Sequence, residues 1–126
     1  MPGSAKDTPK RELNIRRPYL ELIADGTKTV EVRVGYPRMR SIHAGQELTF
    51  VSGDRRLPTK VVRVTEYGSF EEMLSHENPL AIGGDLGESS ADLLAAIRDI
   101  YPPEKERLGV LAIEVERITP SGNDSA

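Results

Sequence analysis

The 126-residue chain has no cysteine and no tryptophan, and its aromatic residues are four tyrosines and two phenylalanines. Without cysteine there is neither a disulfide framework nor a thiol nucleophile. With so few rings, the core has to be filled by branched aliphatic side chains. Long apolar runs are missing as well. No stretch approaches the roughly 20 apolar residues that a membrane helix needs, and the opening MPGSAKDTPK holds no apolar run of the kind found in a secretory leader. A cytoplasmic protein without membrane attachment is therefore the expectation, and this length suits one domain with a modest core.

Charge is plentiful but unevenly placed. Residues 1–63 hold 13 Lys and Arg against 7 Asp and Glu, whereas residues 64–126 hold 4 against 13. A basic surface that meets phosphate would give such a split, with the acidic remainder keeping the chain soluble. Chance distribution over a solvated surface would give it equally well. A pI near 5.4 argues against indiscriminate coating of nucleic acid.

Polar stretches at residues 1–10 and 119–126 read as disordered tails around a domain spanning 11–118. RELNI reads as a first strand and RPYLELIADG as a helix, with Pro18 in its first turn, Tyr19, Leu22 and Ile23 on one stripe, and Gly26 as its left-handed stop. TKTVEVRV alternates as a strand, GYPRMRSIHAG as a loop, and QELTFV and TKVVRVTEY as a hairpin around SGDRRLP. SFEEML opens a second helix, with Ser69 as N-cap and Glu72 closing a capping box. The long loop SHENPLAIGGDLGE reads as a lid, turning at Gly83 and Gly84. SSADLLAAIRDIYPP is the longest helix, burying Leu93, Leu94, Ile97 and either Ile100 or Tyr101, and LGVLAIEVERI closes the chain as a strand. The pattern predicts an α+β domain: a small mixed or antiparallel β-barrel of about five strands, with about three helices packed at its openings.

One strand is unusual. In GTKTVEVR, alternation puts Lys28, Val30, Val32 and Val34 on one face and Thr29, Glu31 and Arg33 on the other. The valines mark the core side, so Glu31 and Arg33 form either a solvated ion pair of little energetic weight or part of a cleft. The following loop carries Arg38, Arg40 and His43, which suit either contact with an RNA backbone or plain solvation. His43 and His76 have no ligand-spaced partner, so no metal site is expected. Ser69, Ser89 and Ser90 are read as helix caps rather than nucleophiles.

The spacing Gly26-x-Lys28-x-x-Glu31-x-Arg33, embedded in IADGTKTVEVR, resembles the signature of the ASCH-domain family, small barrels related to PUA domains. IHAGQEL and AIRDIYP resemble that family's following turn and its last helix. The resemblance implies a PUA-like barrel whose cleft binds RNA, a nucleotide or a modified nucleoside. It also implies roles for the residues that match. Gly26, Lys28, Glu31 and Arg33 would line the cleft, with Lys28 and Arg33 on phosphate or a base edge. Glu31 would accept from a base amino group or orient Arg33. Tyr19 and Tyr36 are the candidates for stacking on bases. A catalytic subset of the family hydrolyses the acetyl amide of acetylcytidine, which would make Lys28 and Glu31 catalytic and Glu88 or Asp85 the loop carboxylate. That subset carries a strand hydroxyl where this chain has Glu31, with Thr29 one pleat earlier. Ribonuclease activity and a regulatory adaptor role also occur in the family. No cofactor is expected, and the expected assembly is a monomer or weak dimer.

Overall fold

The computed structural model describes residues 11–83 and 89–118. The expected tails lie outside that range. Five strands form one sheet: β1 (Arg11–Asn14), β2 (Val30–Val34), β3 (Glu47–Ser52), β4 (Arg55–Tyr67) and β5 (Val110–Arg117). Their spatial order is β1-β3-β4-β5-β2, with β1 parallel to β3 and every other pair antiparallel. The helices are α1 (Arg17–Asp25), α2 (Phe70–His76), α3 (Pro79–Gly83) and α4 (Ser90–Ile100), followed by a 3-10 turn at Pro103–Leu108. The sheet curls into a half-barrel, so the architecture is the α+β, PUA-like one anticipated. None of the helices among the described residues is long and apolar enough to cross a membrane.

Two apolar cores hold the fold. Inside the curl, Leu48, Phe50, Val61, Leu111 and Ile113 pack against Leu20 and Ile23 of α1. On the outer face, Val30 and Val34 of β2 and Val110 and Ala112 of β5 are covered by Phe70, Met73 and Leu93 from the helices. Burying each large aliphatic or aromatic side chain contributes about 1.5–3 kcal/mol. Strand β5 thus serves both cores through alternate residues, as its period-two pattern requires.

Some boundaries differ from expectation. The β3–β4 turn is only two residues, Gly53 and Asp54, because Ser52 pairs directly with Arg55. Glu72 accepts from Gly68 N–H at 2.7 Å rather than from Ser69 N–H, so only Ser69 completes its half of the predicted box. At α4 the reciprocal box is present between Ser89 and Asp92. The loop expected as a lid contains α3, whose last residue, Gly83, packs tightly on Leu93; Gly84 lies outside the described residues.

The strand beginning at Thr27 in the sequence reading begins at Val30. Thr29 donates its N–H to the Ala81 carbonyl of α3 at 2.8 Å, which draws the chain off the ladder. Lys28 consequently does not share the valines' face. Its side chain turns back toward Glu31, and that turn creates the site.

Candidate ligand-binding cavity

Lys28, Glu31 and Arg33 form a continuous chain of charge. Lys28 Nζ lies 3.2 Å from Glu31 Oε1, and Arg33 Nε donates to Glu31 Oε2 at 2.6 Å. Lys28 Nζ also donates to the carbonyls of Val30 and Ile82, each at 2.7 Å. Arg33 Nη2 donates to the Asn14 carbonyl at 2.8 Å, linking the two edge strands β2 and β1 across the open side of the half-barrel. Lys28 is 3% exposed and Glu31 7%, so this is a buried network and not a solvated pair.

Burial sets the electrostatics. Desolvation pulls the Lys28 ammonium below the ordinary lysine range, opposed by the adjacent Glu31 carboxylate. Desolvation alone would raise Glu31, but Lys28 and Arg33 on either side hold its carboxyl below the usual range. A charge in this position persists only because its polar atoms are all matched.

Beside this chain opens a cavity of about 240 Å³. Asn14, Ile15, Arg16 and Tyr19 form one wall, from the β1–α1 corner, and β2 supplies Lys28, Glu31, Val32 and Arg33. The opposite wall is apolar, built from Ile82 of α3 and from Leu93, Ala96, Ile97 and Ile100 of α4, ending at Tyr101. The Tyr19 ring lies 5.6 Å from Lys28 Nζ, a cation–π distance. Tyr101 stacks on Phe70, and burial raises its phenol above the ordinary tyrosine range.

Helix α1 places Tyr19 and Arg16 there for local reasons. Pro in the first turn starts it directly after Arg16, and Gly26, at φ 90°, stops it with its N–H on the Ile23 carbonyl. Leu20 and Ile23 are its buried residues, which leaves Tyr19 and Leu22 half-buried at the stripe's margin.

Of the residues singled out from sequence, Tyr19, Lys28, Glu31 and Arg33 meet at the cavity. Four others lie elsewhere. Gly26 is at the far end of α1 beside Arg117. Tyr36 packs against both cores under Lys105 Nζ, 5.7 Å from its ring. Arg40 is committed to Glu66 through two bonds, at 2.8 and 2.7 Å, and to the Gly35 carbonyl at 3.0 Å. Arg38 is exposed and outside the lining. Asp85 and Glu88 lie outside the described residues. Among the described residues no three His, Asp or Glu side chains gather as metal ligands.

The apolar wall went unread because its residues look like core. The Leu93–Ile97–Ile100 stripe is longer than its neighbours cover, and Ile100 remains 49% exposed. Arg16 gave no periodic signal; only its place before Pro18 hinted at a helix start.

The family model described as ASCH domain matches residues 13–119. In structure the chain is similar to hypothetical protein PH0355, with 33% identity and a TM-score of 0.80 over 87% of this chain and 100% of that one. It is similar also to protein PF0455 from Pyrococcus furiosus, with 31% identity and a TM-score of 0.71 over 87% of this chain and 98% of that one. Protein EF3133 from Enterococcus faecalis V583 shares the fold alone, at 14% identity and a TM-score of 0.58, covering 89% of this chain and 81% of that one. Nothing among curated proteins matches the chain.

Proposed function

The chain belongs to the ASCH-domain family, and we propose that its cavity binds RNA through a single nucleotide, or a free nucleotide or modified nucleoside. The observation that carries this reading is the meeting of three features in one small space: apolar walls, two tyrosines, and a buried charge chain that ends in arginine. Apolar walls with a few fixed polar groups are the usual make-up of a small-molecule site. Tyr19 and Tyr101 offer rings for stacking, the general way unpaired bases are held.

The charged residues divide the work. Lys28 has three acceptors around Nζ, so its donors serve the fold and it anchors Glu31 rather than meeting phosphate. Glu31 in turn fixes Arg33 through Nε, and Nη2 is held by Asn14. Arg33 therefore reaches the ligand in one pre-set orientation, at low entropic cost. Arg16 at the cavity mouth adds an exposed cation for a neighbouring phosphate.

This assignment favours binding over hydrolysis. A lysine nucleophile needs a free lone pair, whereas each Lys28 donor faces an acceptor that deprotonation would leave unpaired. Acetylated nucleosides incubated with the protein should return unchanged. The direct test is fluorescence titration with short single-stranded RNAs at low and moderate salt. Binding should weaken as salt rises, with a shallow slope reflecting a few phosphate contacts. Absence of binding to any RNA or nucleotide at low salt would overturn the reading.

A further inference from the structure

The geometry points to a recognition element made of backbone: we propose that the peptide groups of Val32 read the edge of one unpaired base inside the cavity. The inference rests on the nucleotide-binding reading above and says which part of the nucleotide is read, and by what.

The register of β2 on β5 sets which way its peptide groups point. Val30 pairs with Glu114, Glu31 with Ile113 and Val32 with Ala112. Val115 donates to the Thr29 carbonyl and Gly35 donates to the Gly109 carbonyl, each at 2.9 Å. In an antiparallel pair, hydrogen-bonded and non-bonded residues alternate. Thr29 and Gly35 are bonded to β5, and so are Glu31 and Arg33 between them. The N–H and C=O of Val30, Val32 and Val34 therefore point the other way, off the sheet. Among the described residues strand β2 is an edge, with no strand on that side.

The outward groups do not form an open row. The Val30 carbonyl accepts from Lys28 Nζ at 2.7 Å. The Val34 carbonyl accepts from Tyr36 N–H at 2.8 Å, and the Tyr101 phenol lies against the Val34 backbone. Between these capped positions Val32 lines the cavity. Among the described residues, the Val30 N–H and both groups of Val32 are left; only at Val32 do a donor and an acceptor stand side by side, against the cavity.

That adjoining donor–acceptor pair decides between two kinds of ligand. An extended peptide adding to the edge would need several successive open groups, and the occupied carbonyls of Val30 and Val34 deny them. A planar base needs only one pair, because every unmodified base carries an adjoining donor and acceptor on its pairing edge. The cavity volume of about 240 Å³ falls just under the ~300–1,000 Å³ of drug-sized sites, which suits one base and excludes a stacked pair. A base in a duplex has this edge occupied, so the ligand is an unpaired nucleotide.

The test compares the four nucleoside monophosphates with neutral counterparts lacking the edge. Uridine and guanosine are methylated on the pairing-edge ring nitrogen; in adenosine and cytidine that nitrogen is replaced by CH. Whichever nucleotide binds should outbind its counterpart by about tenfold or more, the factor one well-made hydrogen bond supplies. In isotope-labelled protein the Val32 amide proton should shift on binding and gain protection from exchange. Val32→Pro deletes the N–H without removing a ladder bond, since prolines are tolerated on open edges. It should abolish nucleotide binding while keeping a cooperative unfolding transition; if it does not fold, the analogue comparison decides alone. Equal affinity for a nucleotide and its counterpart, with an unmoved Val32 amide, overturns the inference and leaves the binding reading standing. No binding by any monophosphate or single-stranded RNA overturns both.

Discussion

Glu31→Gln keeps the shape of a side chain while withdrawing the only negative charge between Lys28 and Arg33. Neutralising one partner of a buried ion pair costs about 3–5 kcal/mol, because the remaining charge stays desolvated and uncompensated. Here the losses are cushioned. Lys28 keeps two carbonyl acceptors and Arg33 keeps the Asn14 carbonyl, so the lower end, about 3 kcal/mol, is expected. Against the roughly 5–15 kcal/mol that holds a domain together, that is a large fraction, and urea unfolding followed by circular dichroism at neutral pH will measure it.

Two features separate this mechanism from simple loss of packing. Without Glu31 the Lys28 ammonium loses the charge that opposes its desolvation, so its folded pKa falls further below the ordinary value of about 10.4. Between the folded and unfolded values the unfolded chain binds more protons, so stability rises with pH and the deficit of Glu31→Gln shrinks under alkaline conditions. Adding Lys28→Met removes the stranded charge. The double variant should be more stable than the sum of the two single losses implies, by about 1–3 kcal/mol. A Glu31→Gln change within about 0.5 kcal/mol of wild type, or a deficit unmoved by pH and by Lys28→Met, would refute the reasoning.

Acid should weaken the wild-type fold. Glu31 is held below the usual carboxylate range by Lys28 and Arg33, and Glu77 by its hydrogen bond to Arg63. Their contributions are complete above about pH 4.3 and are lost as pH falls through the folded values; thermal unfolding at decreasing pH will show the drop, and Glu31→Gln should make it shallower. Gly26→Ala places a side chain at φ 90°, with its Cβ 3.4 Å from Arg117 Nη2. It should lower stability by about 1–2 kcal/mol, read from urea midpoints. Arg33→Lys retains charge but cannot hold Glu31 and Asn14 together while facing a ligand, so RNA affinity should fall although the net charge is unchanged.

How legible the site was depended on sequence distance. Alternating valines made β2 a strand, and Gly26 marked the stop of α1, because each signal lies within a few residues of its effect. Alternation also put Glu31 and Arg33 opposite the valines, in agreement with the two cores. Lys28 was misplaced because its partner carbonyl at Ile82 and the bond from Thr29 to Ala81 join segments more than 50 residues apart. No local pattern encodes that meeting. Helix α3 is five residues long and too short for periodicity to show, so its segment read as loop. The apolar stripe of α4 was read correctly as apolar, but nothing in it says that its last turn lacks a covering neighbour. The loop arginines failed for the opposite reason: Arg40 looked free in sequence and is bound to Glu66, which sits 26 positions later.

On the proposed function, ligand enters between the β1–α1 corner, the charged edge strand and α4. Amide shift mapping of isotope-labelled protein titrated with a short single-stranded RNA at low salt tests it most directly. Perturbations should cluster at Asn14–Tyr19, at Lys28–Arg33 and at Ile97–Tyr101, the residues around the cavity. Perturbations confined to the ion pair of Arg63 and Glu114 on β4 and β5, away from the cavity lining, or none at all, would contradict it.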